Sequence, residues 1–166
     1  MSYQSNDKQI FKTYKTNVMK FLVTTLIALF SLVSTKSNAS DDINVSSAVI
    51  ASFKSSFKNA SDVAWKMTSN YYKADFSLNG QYVAAYYDAN ATLVAVTRNI
   101  TSFQLPITLQ NKLKASYESY WISELFELSD DNGTSYYVTV EDGDSKITLK
   151  SAGSNDWSVY QKQRKS

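Results

Sequence analysis

Hydrophobic and polar residues alternate with period two along residues 71–98, and this alternation predicts a meander of three antiparallel strands. The pair Asn79-Gly80 separates the first two runs, and an Asn-Gly pair in that position predicts a tight hairpin turn. Residues 88–91 (DANA) predict a second turn, which leads into the third run. We therefore expect the rest of the chain to cover or extend this meander.

The two-residue turn predicts that Leu78 pairs with Gln81, which fixes the register of the hairpin. One face of the meander is then a predicted core face, packed against a helix. The opposite face carries the candidate partner-binding residues, which are Tyr71, Lys73, Asp75, Tyr82, Tyr86, Val94, Val96 and Arg98. The last three belong there only if Ala91 takes the left-handed conformation. If Asn90 takes it instead, the register shifts by one residue.

This second face is not polar, as the solvated face of an antiparallel sheet would be. Aromatic residues with a charged rim are typical of a protein interaction surface. The alternative is that a second layer, or another part of the chain, covers the face. The sequence leaves both interpretations open.

Helical spacing of apolar residues predicts an amphipathic helix over 45–57, and a second helix begins at Pro106 and continues to Tyr117. Strands are predicted at 63–67 before the meander, and after the second helix at 120–128, 135–141, 146–151 and 157–161. The predicted fold class is α+β. It consists of two tandem helix-plus-four-strand antiparallel repeats, about 45–98 and 105–161, with the helices packed on one face of the sheet.

The N-terminal part is typical of an export signal. Lysines precede an apolar run at 21–33, and a small-residue segment then ends at Ala39. Cleavage near Ala39/Ser40 would separate an N-terminal extension and signal peptide (1–39) from the domain at 40–166. A retained membrane anchor is the alternative, although the run is short for a membrane span.

The start of translation is a separate open point, because the chain offers two methionines that could begin it. Translation from Met19 would give a signal peptide of ordinary shape, whereas a start at Met1 adds an upstream extension. Either start predicts a periplasmic or secreted protein with no membrane span after cleavage.

Composition excludes several kinds of chemistry. The chain contains no Cys and no His, which excludes disulfides, the usual zinc sites, Cys nucleophiles and His-based triads. Removal of 1–39 leaves 12 basic and 14 acidic residues, so the mature charge is near −2 and nucleic-acid binding is not expected. We expect no cofactor and find no candidate catalytic site.

Two acidic turns, at 130–133 and 141–144, raise the question of calcium binding. The EF-hand pattern fails, because placing Gly133 at the central glycine puts the first ligand position on Leu128. Hairpin turns are rich in Asp, Asn and Gly for conformational reasons. We therefore expect no metal site.

An ordered set of short motifs spans residues 45–150. Its members are Phe53…Phe57 with Ala60…Val63…Trp65; Tyr72-Lys73-Ala74-Asp75-Phe76…Asn79-Gly80; Ala85-Tyr86-Tyr87-Asp88…Leu93-Val94…Arg98; Leu105-Pro106; and Tyr136-Tyr137-Val138. This set resembles the PepSY-like family of small secreted proteins from Bacteroidetes-type bacteria, which is related in fold to beta-lactamase-inhibitor protein. The family pattern usually has Gly where this chain has Ala91.

The resemblance implies a helix-plus-four-strand repeat, a periplasmic or extracellular location and no known enzymatic activity. The related inhibitor holds a beta-lactamase loop on a concave sheet face, and PepSY domains occur in peptidase propeptides. No inhibitory residue of those proteins can be placed on a position of this chain.

The predicted function is that of an exported, non-enzymatic protein- or peptide-binding module, an inhibitor or modulator of an envelope peptidase or hydrolase. The partner would be a periplasmic or extracellular protein or peptide. The alternative is a periplasmic protein that binds a small ligand or self-associates through an open sheet edge. An enzyme using Tyr, Lys or carboxylates is the third hypothesis.

Overall fold

The computed structural model describes residues 44–68 and 70–165, so the predicted signal peptide lies outside the described residues. Within the described ranges the chain forms two α-helices, one short 3-10 helix and eight strands. In chain order they are α1 (Ser47–Ser56), β1 (Ser61–Met67), β2 (Tyr72–Leu78), β3 (Gln81–Tyr87), β4 (Leu93–Asn99), the 3-10 helix (Ser102–Gln104), α2 (Ile107–Tyr117), β5 (Trp121–Asp130), β6 (Gly133–Glu141), β7 (Ser145–Ala152) and β8 (Ser158–Arg164).

The eight described strands form one antiparallel sheet in the order β1 to β8, so that each strand pairs with its neighbours in sequence. The prediction of two tandem helix-plus-four-strand repeats is wrong, because β4 pairs directly with β5. The register runs from Ala95 opposite Asp130 to Asn99 opposite Phe126. Main-chain hydrogen bonds therefore continue across the middle of the chain, and the sheet is not divided into two units.

The first hairpin has the predicted register. Leu78 lies opposite Gln81, and the pairing continues to Tyr72 opposite Tyr87. Asn79 and Gly80 have φ values of 52° and 79°, which are the two left-handed residues that a type I′ turn requires. The hairpin is thus specified locally, by two turn residues.

Helix α1 covers the first half of the sheet. Ser46 is the N-cap of this helix, and its hydroxyl oxygen accepts a hydrogen bond from the Val49 amide at 3.3 Å. Val49 and Phe53 are buried against β2 and β3, and the Phe53 ring lies 5.0 Å from the Phe76 ring in an edge-to-face contact. Trp65 of β1 meets the Phe53 ring at 5.3 Å, so the edge strand also contributes to this core.

Helix α2 packs on the same face over the second half of the sheet, and it begins directly after Pro106 as the sequence predicts. Leu109 and Leu113 are buried against β5, β6 and β7. The Trp157 indole N–H donates a hydrogen bond of 3.0 Å to the Leu109 carbonyl, which ties the helix to the β7–β8 connection. The two helices therefore cover two separate apolar clusters on one face. We call the opposite side of the sheet the outer face.

Candidate functional site

Four of the predicted partner-binding residues lie together on the outer face, carried by β2 and β3. The Lys73 ammonium contacts the Asp75 carboxylate at 2.8 Å and lies 5.8 Å from the centre of the Tyr86 ring. Tyr82 is 79% exposed, whereas Tyr86 is buried. The structure therefore brings Lys73, Asp75, Tyr82 and Tyr86 into one group, in which only Tyr82 is widely open to solvent.

The β3–β4 turn has the conformation that the first alternative requires, because Ala91 has a φ of 62°. One residue of β4 is nevertheless extra. Tyr87 lies opposite Leu93, but Tyr86 lies opposite Ala95, so Val94 has no partner across the strand pair. This is a β-bulge, and it reverses the alternation of faces for every residue that follows.

The prediction that Val96 and Arg98 share the outer face is therefore wrong. Val96 lies opposite Ala85 and packs against the cluster under α1. Arg98 lies opposite Val83 on that same face, where its guanidinium meets Glu127. Alternation alone could not reveal the bulge, which adds one residue to β4.

The two remaining predicted residues flank the group. Tyr71 comes just before β2 and is buried, and its backbone amide donates a hydrogen bond of 3.1 Å to the Thr68 hydroxyl oxygen. Burial raises the pKa of the Tyr71 phenol, with a further contribution from the negative charge of Asp88. Val94 is half-buried at the bulge itself. Neither residue adds an exposed contact to the outer face.

The second half of the chain supplies a part of the outer face that was not predicted from the sequence. Phe126 and Leu128 of β5 and Tyr137 of β6 alternate with the residues under α2, and all three are buried. The rings of Phe126 and Tyr137 stack at 5.0 Å with an interplanar angle of 10°. The same period-two pattern could have located them, had the pairing of β4 with β5 been known.

Tyr137 is the centre of a smaller aromatic and cationic group. The Lys150 ammonium lies 5.2 Å from the centre of its ring, and the Tyr160 ring meets it edge-to-face at 5.9 Å. Burial raises the pKa of Tyr137 and lowers the pKa of Lys150. In the first half of the face, burial raises the pKa of Tyr86 to about 12. These phenols therefore stay protonated and neutral at physiological pH.

A second widely exposed aromatic residue of the outer face is Trp121, at the start of β5, which is 52% exposed. The Lys165 ammonium lies 4.5 Å from the centre of its ring and 2.9 Å from a Glu141 carboxylate oxygen. The same ammonium donates a hydrogen bond of 2.7 Å to the Asp142 carbonyl. Lys165 is therefore held in place at this end of the sheet.

The charge on Glu141 is strongly favoured at that position. Hydrogen bonds from Ser123 and Lys165, together with the charges of Lys165 and Lys146, lower the pKa of Glu141 to about 2. Glu124 of β5, which lies opposite Thr139, is half-buried, and burial raises its pKa. The outer face thus combines a neutral aromatic centre with ionised groups at its margin.

The acidic turns serve the backbone. The Asp130 carboxylate accepts a hydrogen bond from the Asn132 amide at 2.7 Å, and the Asp142 carboxylate accepts one from the Asp144 amide at 2.9 Å. Such Asx turns are the expected use of these residues in hairpins. Among the residues that the structure describes, no three Asp or Glu side chains form a group that could hold a metal ion. Neither of the described helices is both long and apolar enough to cross a membrane.

A groove of about 380 Å³ runs along one side of α2, on the helix-bearing face of the sheet. Leu113, Ile122 and Val140 form its apolar floor, and Lys114 and Glu118 line its rim. Two tyrosines of this groove, Tyr117 and Tyr120, meet edge-to-face at 5.5 Å; both are half-buried.

Comparison with solved structures shows that the fold is a known one. A BLIP-like protein from Bacteroides fragilis superimposes with a TM-score of 0.62 at 24% identity, over 75% of this chain and 91% of its own. A DUF2874 family protein from Bacteroides uniformis gives 0.65 at 20% identity, over 72% of this chain and 89% of its own. A protein from Bacteroides eggerthii, provisionally described as periplasmic, gives 0.66 at 18% identity over 72% of this chain and 88% of its own.

At these identities the comparison defines the fold, which is BLIP-like. No protein-family model matches the chain, and no curated protein does.

Proposed function

We propose that this protein is an exported, non-enzymatic module that binds a protein or peptide partner on the outer face of its sheet. The observation that carries the proposal is the composition of that face. Two exposed aromatic residues, Tyr82 and Trp121, flank a buried aromatic centre, and lysine and carboxylate side chains lie around them. Exposed aromatic side chains with a charged margin are the composition of a protein interface.

Lysines placed over tyrosine and tryptophan rings support a protein or peptide ligand in particular. Lys73 lies over Tyr86, Lys150 over Tyr137 and Lys165 over Trp121. A partner that covers this face would meet ammonium groups that are already oriented by the rings beneath them, and backbone carbonyls or carboxylates of the partner could accept their hydrogen bonds.

The absence of Cys and His from the whole chain supports a role without catalysis, since the commonest nucleophilic and acid–base groups are missing. The BLIP-like fold supports a role in holding another protein. We propose an envelope peptidase or hydrolase as the partner and inhibition or modulation as the outcome. Membership of the PepSY-like family, a signal peptide at 1–39 that is cleaved to leave the domain 40–166, and a periplasmic or secreted location belong to the same proposal.

The test is capture of a partner by the immobilised full chain from a native envelope extract. Tyr82→Ser should abolish capture, because it removes the most exposed aromatic contact of the outer face. Phe103→Ser is the matched control, because Phe103 is 88% exposed but belongs to the 3-10 helix outside the sheet. Equal capture by both variants would refute the assignment of the face. The melting temperatures of both variants should equal that of the wild type, which would show that the loss of capture by Tyr82→Ser does not reflect unfolding.

Tyr86 is unsuitable for this test although it lies on the same face. It is buried, and its hydroxyl hydrogen-bonds to Thr97. Tyr86→Ser would leave a cavity and cost about 3 kcal/mol of folding free energy or more, as large-to-small changes of buried aromatics do. A loss of capture by that variant would therefore say nothing about contact with the partner.

A second candidate function is suggested by the groove along α2, which has the volume of a small-ligand site. Its apolar floor, two tyrosines and polar rim suit a small amphipathic molecule. A ligand in this groove would raise the melting temperature of the full chain, and Leu113→Phe, which fills the floor, should remove that shift. Lack of any such shift with a broad panel of amphipathic metabolites would count against this candidate.

A further inference from the structure

Strand β1 forms one edge of the described sheet and carries apolar side chains that face solvent. Val63 is 39% exposed and Met67 is 62% exposed, while Trp65 between them is half-buried against the Phe53 ring. Trp65 and Met67 lie on the side of the sheet that carries α1, because they lie opposite Ala74 and Tyr72. Val63 precedes Trp65 by two residues in the strand, so alternation assigns it to the same side. An exposed apolar edge of this kind is a template for pairing with another strand.

The register shows which main-chain groups of β1 point away from the sheet. In a two-residue hairpin the two residues that flank the turn exchange main-chain hydrogen bonds. Leu78 therefore bonds to β3, and so does every second residue of β2 that precedes it. The intervening residues of β2, Lys73 and Asp75, then bond to Lys66 and Ala64 of β1. The N–H and C=O groups left pointing outward belong to Val63, Trp65 and Met67.

Hydrogen bonds at the end of β1 agree with this assignment. The Thr68 amide donates a hydrogen bond of 2.8 Å to the Tyr71 carbonyl, so the main chain at position 68 points toward β2. Positions 66 and 64 precede it by two and four residues and therefore point the same way. The bulge of β1 falls between Ser61 and Ala64, where Asp62 has a φ of 54°. The segment from Ala64 to Met67 is therefore regular, with Val63 at its border.

The other edge of the sheet is built differently. Strand β8 carries Lys162 and Arg164, and its pairing with β7 is broken by an irregularity between Thr148 and Leu149 that leaves Tyr160 without a partner in the register. Basic side chains and bulges on an edge strand discourage strand addition. β1 has one lysine, Lys66, and that lysine is paired with Asp75 at 3.4 Å. Both edge strands therefore contain a bulge, but that of β1 lies near its start and leaves 64–67 regular, whereas that of β8 interrupts the middle of the strand.

We propose that two copies of this protein pair antiparallel through β1, with a two-fold axis at Trp65. The three outward-pointing residues are symmetric about Trp65. In this arrangement Trp65 therefore meets Trp65 of the second copy, and Val63 meets Met67 of the second copy twice. The three pairs exchange about six main-chain hydrogen bonds, two for each pair. The second copy is favoured as the occupant because this register sets the exposed apolar side chains of Val63 and Met67 against each other on both sides of the axis.

Side chains agree with the same register. On the α1 side, the exposed apolar surface of Val63 and Met67 is covered by the other copy, next to the aromatic cluster of Trp65. On the outer face, Ala64 lies opposite Lys66 of the second copy, so no like charges meet. A shift of the axis to Lys66 would place the two lysines directly opposite each other, which destabilises strand pairs.

The first test is the association of the full chain, measured by sedimentation across a concentration series for two lysine variants. Met67→Lys should weaken dimerisation by about tenfold or more, because the two-fold axis removes the apolar Met67 contact twice and introduces two charges. Val159→Lys is the matched control, since Val159 is 60% exposed on the opposite edge strand β8. Its dimerisation should be unchanged.

The second test determines the register, and it uses the absence of native cysteines. Ala64→Cys chains mixed with Lys66→Cys chains should form a disulfide between copies, because residues directly opposite each other in a non-hydrogen-bonded pair lie within disulfide reach. Either variant alone should cross-link less, because position 64 of one copy lies diagonally across from position 64 of the other copy, and the same holds for position 66. Gln161→Cys mixed with Gln163→Cys provides the same spacing on β8 and should not cross-link.

Three results would overturn the proposal. They are a monomer at every concentration, a dimer that Met67→Lys and Val159→Lys weaken equally, and cross-linking that is as efficient through β8 as through β1. A full chain that stays monomeric but binds an extended peptide along β1 would show that another protein pairs with this edge. That result would also exclude the second copy as the occupant.

Discussion

The Arg98 guanidinium and the Glu127 carboxylate form a two-pronged ion pair across β4 and β5, with Nε–Oε1 and Nη2–Oε2 distances of 3.0 Å and 3.1 Å. The pair lies where the two halves of the chain join, beside Val83 of one apolar cluster and Tyr136, which packs against the other. Hydrogen bonding to Glu127 raises the pKa of Arg98. A charged pair thus occupies the gap between the two cores on the helix-bearing face.

Arg98→Met should destabilise the fold by about 1–2 kcal/mol, because it leaves the Glu127 carboxylate without its partner in a largely buried position. Lys112→Met is the control, since it breaks a Lys112–Asp156 pair of 2.8 Å whose carboxylate side chain is 73% exposed, against 17% for Glu127. That change should cost less than about 0.5 kcal/mol. Urea unfolding of both variants measures the difference, and equal losses would contradict the structural role of the Arg98 pair.

Acid should weaken the end of the sheet that Glu141 holds. The folded-state pKa of Glu141 is about 2 and its ordinary value is 4.5, so the folded state favours the ionised form. The stabilisation is therefore fully present above pH 4.5 and is lost as the pH falls toward 2. Melting temperatures across this range should show the loss in the wild type.

Glu141→Gln isolates the contribution of that carboxylate from those of other acids, such as Asp142, whose pKa is also lowered to about 2. The variant should be less stable than the wild type at neutral pH, and the gap between the two should close as the pH falls from 4.5 toward 2. A gap that stays constant with pH would show that Glu141 acts by packing and not by charge.

The β3–β4 turn holds Ala91 at a φ of 62°, a conformation that costs a non-glycine residue about 1–2 kcal/mol. Ala91→Gly should relieve that strain and raise the free energy of unfolding by about 0.5–1 kcal/mol, after allowance for the greater entropy of Gly in the unfolded chain. Ala89→Gly in the same turn is the control, because position 89 has no positive φ, and it should be neutral or slightly destabilising. Urea midpoints decide, and a destabilised Ala91→Gly would contradict the turn geometry.

Local signals predicted what local interactions determine. The Asn79-Gly80 turn specified the β2–β3 register, and Pro106 specified the start of α2, because in both cases the residues that set the geometry are adjacent in sequence. The start of α1 was placed slightly early, since Ser46 caps it within the run that was predicted as helix. Helix ends depend on which of several polar residues becomes the cap.

The sequence could not reveal features that depend on distant pairing. The unpartnered Val94 moves Val96 and Arg98 to the helix-bearing face, and a bulge leaves no mark in a period-two pattern. The pairing of β4 with β5 converts two expected repeats into one sheet, and it depends on contacts across 29 residues such as that of Arg98 with Glu127. The Lys165 contacts with Trp121 and Glu141 were missed for the same reason, because a short basic tail has no local signal for a fixed position.

The central claim, that the outer face contacts a partner protein, is tested most directly by site-specific photocross-linking in intact producing cells. A photoreactive phenylalanine analogue is placed at Tyr82, and at Phe103 in a control chain, because both positions are widely exposed. We predict one discrete cross-linked protein from position 82 and none from position 103. The claim would be contradicted if position 82 gave no cross-linked protein, or if positions 82 and 103 gave the same one.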